Sequence, residues 1–346
     1  MHSADRALAA VERALHLQLP RGLFLPGGLG PFDETVDPEA LLEPAAGAVR
    51  GGELLPDALP FARGADGAVL ALRFGPGGRP REAIAWHPGG AWHPTDLAPG
   101  LASEPARLRR ACEAALESGL AVLAGESGAA SLAQDLGVAR ETFSDWLLDA
   151  RLVPAAARAA LRRLTGAGDV ALFAQDWSAA ASAARAALAA RPDLAWPGAV
   201  LGWHEEGRGR AADAARAYAG ALGAFGGTLA FAGRLARPGE SAARVISAAW
   251  QRATGGRAAP DPALRAALAG PGPLRAHLLA ESDRARAEGR HAAAWDLALR
   301  AGWQRHVAVD MDDVLGRMLD AAEAAGHAAH AELARLHLRA WVGSGR

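Results

Sequence analysis

The stretch AWHPGGAWHP, residues 85–94, doubles a Trp-His-Pro triplet around Gly89-Gly90. Imidazole binds metals and moves protons near neutral pH, and tryptophan is enriched at binding hot spots. If Gly89-Gly90 is a two-residue hairpin loop, His87 lies opposite Trp92 and Trp86 opposite His93. A three-residue loop would let His87 oppose His93. Either way the motif offers two ligands, whereas zinc takes three or four. No further Cys, His or acidic residue stands nearby at metal spacing. The spacing therefore favours hairpin packing over a metal site. The functional alternative is a protein-binding surface built from Trp86, His87, Trp92 and His93.

Other chemically suggestive stretches give less. GESGAAS (125–131) puts Gly128 directly after Ser127, so it lacks the Gly-x-Ser-x-Gly spacing of a nucleophile elbow. His204-Glu205-Glu206 has no second histidine four residues on and is not a zincin motif. His327, His330 and His337 fall within roughly 80° of one helix face at ~100° per residue, and the last two are ~10 Å apart along the axis. They read as a polar stripe. DMDD (310–313) reads as a helix start, where aspartate caps the backbone and suits the dipole; it lacks calcium-loop spacing. All 37 basic residues are arginine, which excludes Schiff-base chemistry and a P-loop lysine. No catalytic residue, metal or cofactor is expected.

Composition narrows the class further. The 346 residues are 51% hydrophobic with a net charge of −1, enough for several cores and without the basic excess that nucleic acid or acidic membranes need. A single cysteine, Cys112, fits a reducing compartment. The first residues carry Asp5, Glu12 and Arg13 within an apolar pattern, so they read as an amphipathic helix rather than a signal peptide. No uncharged apolar run approaches the ~20 residues of a membrane span. The expected location is the cytoplasm.

The elements that would position these residues change character near residue 105. Before it, residues 3–18 predict a helix capped by Ser3, and DPEALLE (37–43) a short helix with an Asp cap and Pro at its first position. ADGAVLALRFG (65–75) alternates Val69, Ala71 and Arg73 against Leu70, Leu72 and Phe74, as a strand does. REAIAWH (81–87) and AWHPT (91–95) are two more strands, with GPGGRP and PGG as turns. After residue 105 the chain is alanine-rich and helical. Gln175, Ala180 and Ala187 align with Gly209, Ala214 and Ala221 at a 34-residue interval. Residues 131–152 have the outline of a helix-turn-helix, but the second helix offers Arg140, Glu141, Asp145 and Asp149, not the basic or amide-rich face that reads DNA. Eight tryptophans fall in this part, among them those at 177, 196, 203, 250, 295, 303 and 341. Most would be large partners to the alanines, while Trp196, Trp203 and Glu205 are candidates for a concave peptide groove.

Two resemblances follow from these residues. The 34-residue pattern, with Leu201-Gly202, Gly209, Ala214, Tyr218 and Ala221, resembles the tetratricopeptide repeat, a helix–turn–helix unit. Units are placed at 161–194 and 195–228. Segments 287–303 (Gly289, Ala294, Ala301) and 325–341 (Gly326, Ala331, Leu338) look like further half-units out of phase. The N-terminal part resembles the SUKH superfamily, the Smi/Knr-type domain. The likeness rests on ERALHLQLP, with His16 where a glycine usually stands, on Leu59-Pro60-Phe61-Ala62, on Asp66-Gly67, on the strand 68–74, and on Trp86-His87. It departs at 21–32, where Gly27-Gly28 lacks the usual preceding Asn. This resemblance implies a small α+β protein-binding domain, associated in bacteria with immunity proteins that neutralise toxins. Asp66, in the turn before the first strand, is a further candidate partner contact. The expected architecture is an α+β SUKH-like domain at 1–105, a helical connector at 106–160, two TPR-like repeats at 161–228 and irregular helical hairpins at 229–346. The expected function is non-catalytic binding of a protein partner, a toxin domain or a peptide. Alternatives are a regulatory scaffold with no toxin partner and a DNA-binding regulator acting through 131–152.

Overall fold

The computed structural model describes residues 3–20, 34–43, 53–87, 91–98, 178–224, 242–303 and 310–343, with shorter pieces at 32, 49, 101, 103–112, 114, 134 and 137–139. The chain forms two compact units. The first joins Met1–Ala106 to Ala269–Arg346; the second is Arg107–Leu268. The expected change near residue 105 coincides with one boundary. The expected segment 229–346, however, is divided between the two units.

In the first unit, α1 (Ser3–Leu15) is followed by β1 (Glu34–Thr35), a 3-10 turn (Glu39–Leu42), β2 (Ala58–Arg63), β3 (Val69–Phe74), β4 (Pro80–His87) and β5 (Ala91–Thr95). The strands form one antiparallel sheet in the order β1-β2-β3-β4-β5. Each strand pairs with its sequence neighbour, and the β2–β3, β3–β4 and β4–β5 connections are short and glycine-containing, as antiparallel hairpins allow. β3 is buried on both faces. Leu70, Leu72 and Phe74 join Leu59, Phe61, Ala83 and Ala85 in one core, covered by Leu8, Val11 and Leu15 of α1. Val69, Ala71 and Arg73 point the other way, toward the side of Ile84 and Trp86.

The predicted helix 3–18 stops at Leu15 because His16 turns left-handed, with φ +53°. Leu17 N–H then reaches back to the Glu12 carbonyl at 3.0 Å, and Leu19 N–H donates to Glu12 Oε1 at 2.9 Å. This is helix termination of the Schellman kind, normally a glycine's task. At 37–43 the predicted aspartate contact is present, with Glu39 N–H donating to Asp37 Oδ1, but the turn is 3-10.

The second unit contains α2 (Ser178–Ala190), α3 (Ala195–Gly207), α4 (Ala211–Gly223) and α5 (Ala242–Thr254), followed by α6 (Pro262–Ala269) near its end. Among the described residues, α2 to α5 pack in chain order, each on the next. Ala180, Ala187 and Ala214 are fully buried. A Cβ on Gly202 would lie 2.2 Å from the Tyr218 ring, so glycine there is what lets α3 and α4 close. The first unit is completed by α7 (Pro271–Ala287), α8 (His291–Gly302), α9 (Met311–Ala324) and α10 (Ala328–Gly343), which again pack in chain order. Asp310 caps α9 as expected, its carboxylate accepting from Asp313 N–H. The hairpins α3–α4, α7–α8 and α9–α10 all turn through a left-handed glycine: Gly209 (φ +71°), Gly289 (+74°) and Gly326 (+70°). Among the described residues, no helix is long and apolar enough to cross a membrane.

Candidate functional site

β2–β3 and β4–β5 turn at one end of the sheet, and β3–β4 turns at the other. The first end carries Asp66, His87 and His93. Asp66 is exposed, and its Oδ1 accepts from Ala68 N–H at 2.9 Å, which shapes the turn before β3. β4 and β5 pair with Trp86 opposite Trp92, His87 opposite Ala91 and His93 opposite Ala85. The two-residue-loop register, which set tryptophan against histidine, is therefore corrected. Three residues, 88–90, separate the strands, and one extra loop residue shifts every pair by one. His87 and His93 do not oppose each other directly either. They meet diagonally on one face, their rings stacked with centroids 5.4 Å apart and planes 22° from parallel. Both are half-buried.

The same register takes the tryptophans out of the candidate surface. Trp86 is 1% exposed and Trp92 2%. Arg73 lies over the Trp92 ring, 5.3 Å from its centroid, within the range of a cation–π contact. A buried indole cannot meet a partner in the folded state, so of the proposed contacts only Asp66, His87 and His93 retain accessible surface. No group of three or more metal-ligating side chains occurs among the described residues.

The proposed repeat groove is corrected in the same way. Trp196 is fully buried. Glu205 is also buried, held between Arg185 at 3.2 Å and Arg210. Its neighbour Glu206 faces the other side, accepting from the Tyr218 hydroxyl at 2.6 Å and pairing with Arg252. Trp203 is half-buried and stays available. Of the other tryptophans, Trp250 and Trp295 are core residues, as expected of partners to the alanines. Trp177, Ser127 and most of 131–152 lie outside the described residues.

The opposite end of the sheet holds a charged cluster that sequence reasoning missed. Arg73 of β3 donates from Nη2 to Asp57 Oδ2 at 2.6 Å and from Nη1 to Glu82 Oε1 at 2.7 Å, and all three side chains are buried. Burial by itself would push the Asp57 carboxyl up; the charge and hydrogen bonds of Arg73 outweigh it and hold Asp57 below the ordinary carboxylate range. The signal was present in VLALRF, where a lone arginine stands next to last in an otherwise apolar strand. Its partners, 16 residues upstream and nine downstream, could be identified only once the strands paired.

Two histidines of α10 reach the same end. His330 Nε2 lies 3.0 Å from the Phe74 carbonyl oxygen, and His337 Nε2 lies 3.0 Å from that of Ala58. The predicted polar stripe is thus overturned: His330 and His337 are buried, and Leu333 and Leu336 between them belong to the sheet's core. The stripe faces inward because α10 is packed on the sheet, which no helical wheel reveals. Comparisons of the chain with protein-family models, with curated proteins and with solved structures gave no match.

Proposed function

We propose that the chain is a non-catalytic protein-binding protein of the cytoplasm, acting as the Smi/Knr-type resemblance implies for toxin-immunity proteins. The observation that carries this reading is the chain-order packing of antiparallel helices. Such stacking is the habit of helical-repeat scaffolds, whose extended surfaces take up peptides and protein segments. Asp66, His87 and His93, gathered at one end of the sheet, are the partner contacts we assign to the first unit. Trp203 is the one we assign to the second.

The test is capture by the tagged full chain, followed by reconstitution with the purified partner. The variants are Asp66→Arg, His87→Ala/His93→Ala and Trp203→Ala. We expect a single stoichiometric partner, with affinity lowered roughly tenfold or more by at least one of these, as hot-spot truncation does. Reconstituted binding that is indifferent to all three changes would remove the assigned contacts. The absence of any partner that survives reconstitution would remove the function.

A further inference from the structure

His330 and His337 stand seven residues apart, about two helical turns, with Leu333 and Leu336 between them. A carbonyl oxygen only accepts, so each Nε2 carries the proton it donates to Phe74 or Ala58, and each Nδ1 carries a lone pair. Both Nδ1 atoms are buried with no hydrogen-bond partner among the described residues. A proton placed there would be a buried donor without an acceptor, on a newly charged ring.

The surroundings offer little to stabilise that charge. Toward His330, Asp57 favours protonation while Arg73 and His327 oppose it. The Trp295 ring of α8 stacks on it at 4.4 Å. Arg81 of β4 and Asp296 of α8 belong to the same neighbourhood. Toward His337, Asp57 is the carboxylate within electrostatic reach. Both Asp57 oxygens accept from Arg73, and Glu82 binds Arg73 as well.

We propose that α10 is an acid-released latch on the sheet: protonation of His330 and His337 detaches the helix from the Phe74 and Ala58 carbonyls before the second unit opens. Release would uncover Ala329, Leu333, Leu336 and Ala340 together with the sheet face they cover. Burial is the main cause that holds both imidazoles below their ordinary value, to about 4 for His337. A folded pKa below the unfolded one means that the latch is at full strength above about pH 6.5, weakens as the pH falls below that, and reaches its floor near the folded value. Between pH 7.5 and 5, His337 alone should raise the opening equilibrium of α10 roughly 30-fold.

Hydrogen exchange of the full chain, corrected for the intrinsic pH dependence, tests this. Peptides from 328–343 should lose protection at least about 30-fold between pH 7.5 and 5, and more than peptides from 211–223, whose unit holds the buried His204. In His330→Gln/His337→Gln, which retains an N–H donor but cannot be protonated, the loss should vanish. Unchanged α10 protection, an equal loss in both regions, or parallel loss in the variant would each overturn the proposal. Should the variant not fold, imidazole NMR of the wild type decides. Two rings titrating well below about 6.5, in step with loss of α10 protection, support the latch; ordinary titration of both rings refutes it.

Discussion

At His16 the chain accepts a left-handed backbone in a residue that carries a Cβ. The neighbourhood enforces it. Gln18 N–H donates to the Gly78 carbonyl at 2.8 Å, and a Cβ on Gly78 would stand 1.9 Å from the His16 carbonyl oxygen. The end of α1 and the β3–β4 turn thus fit only with glycine at 78. At the same end of the sheet, Arg73 shows how one residue can hold a sheet end. It pairs with two buried carboxylates, and its removal takes the guanidinium from both. We expect Arg73→Met to destabilise the first unit by about 3–5 kcal/mol, read as a lower urea midpoint. Adding Asp57→Asn and Glu82→Gln should recover part of the loss, because the uncompensated charges go with them. A loss that those changes deepen would show the carboxylates to be stabilising in their own right.

Elements in this protein meet through their small residues. The α3–α4 hairpin closes because Gly202 leaves room for Tyr218, whose hydroxyl then binds Glu206. Gly202→Val should cost about 1–3 kcal/mol through overpacking and lower the thermal midpoint of the second unit. Gly202→Val/Tyr218→Ala should recover much of that if the clash is the cause. The three glycine turns were legible as Gly209, Gly289 and Gly326 because each must turn left-handed where one helix ends. The hairpin β4–β5 was legible as a hairpin but not in its register. Trp86 and Trp92 suit either face of a strand, so one loop residue decided which side chains met.

On the scale of the whole molecule, the N-terminal sheet and the C-terminal helices form one unit although the second unit separates them in sequence. Their union is physical. Ala329, Leu333, Leu336 and Ala340 share the sheet's core, and Trp303 Nε1 donates to the Glu53 carbonyl at 3.0 Å. Burying each leucine contributes about 1.5–3 kcal/mol, a large fraction of a domain's net stability. Residues 1–106 alone should therefore show no cooperative unfolding by circular dichroism, and adding residues 269–346 in trans should restore it. Cooperative unfolding of 1–106 by itself would make the expected N-terminal module autonomous after all.

Local chemistry was readable from the sequence. Alternating and helical periodicities marked β3, β4, β5 and the helices; glycine marked the turns; and Asp310 marked a helix start. These depend on near neighbours, which the linear order contains. The sheet register, the burial of Trp86 and Trp92, the Asp57–Arg73–Glu82 cluster and the inward turn of His330 and His337 were decided by tertiary structure. Each depends on residues distant in sequence: His330 finds its carbonyl 256 residues away, and His337 finds its own 279 away. Whether a histidine on a helix faces water or a strand is settled only by what that helix packs against.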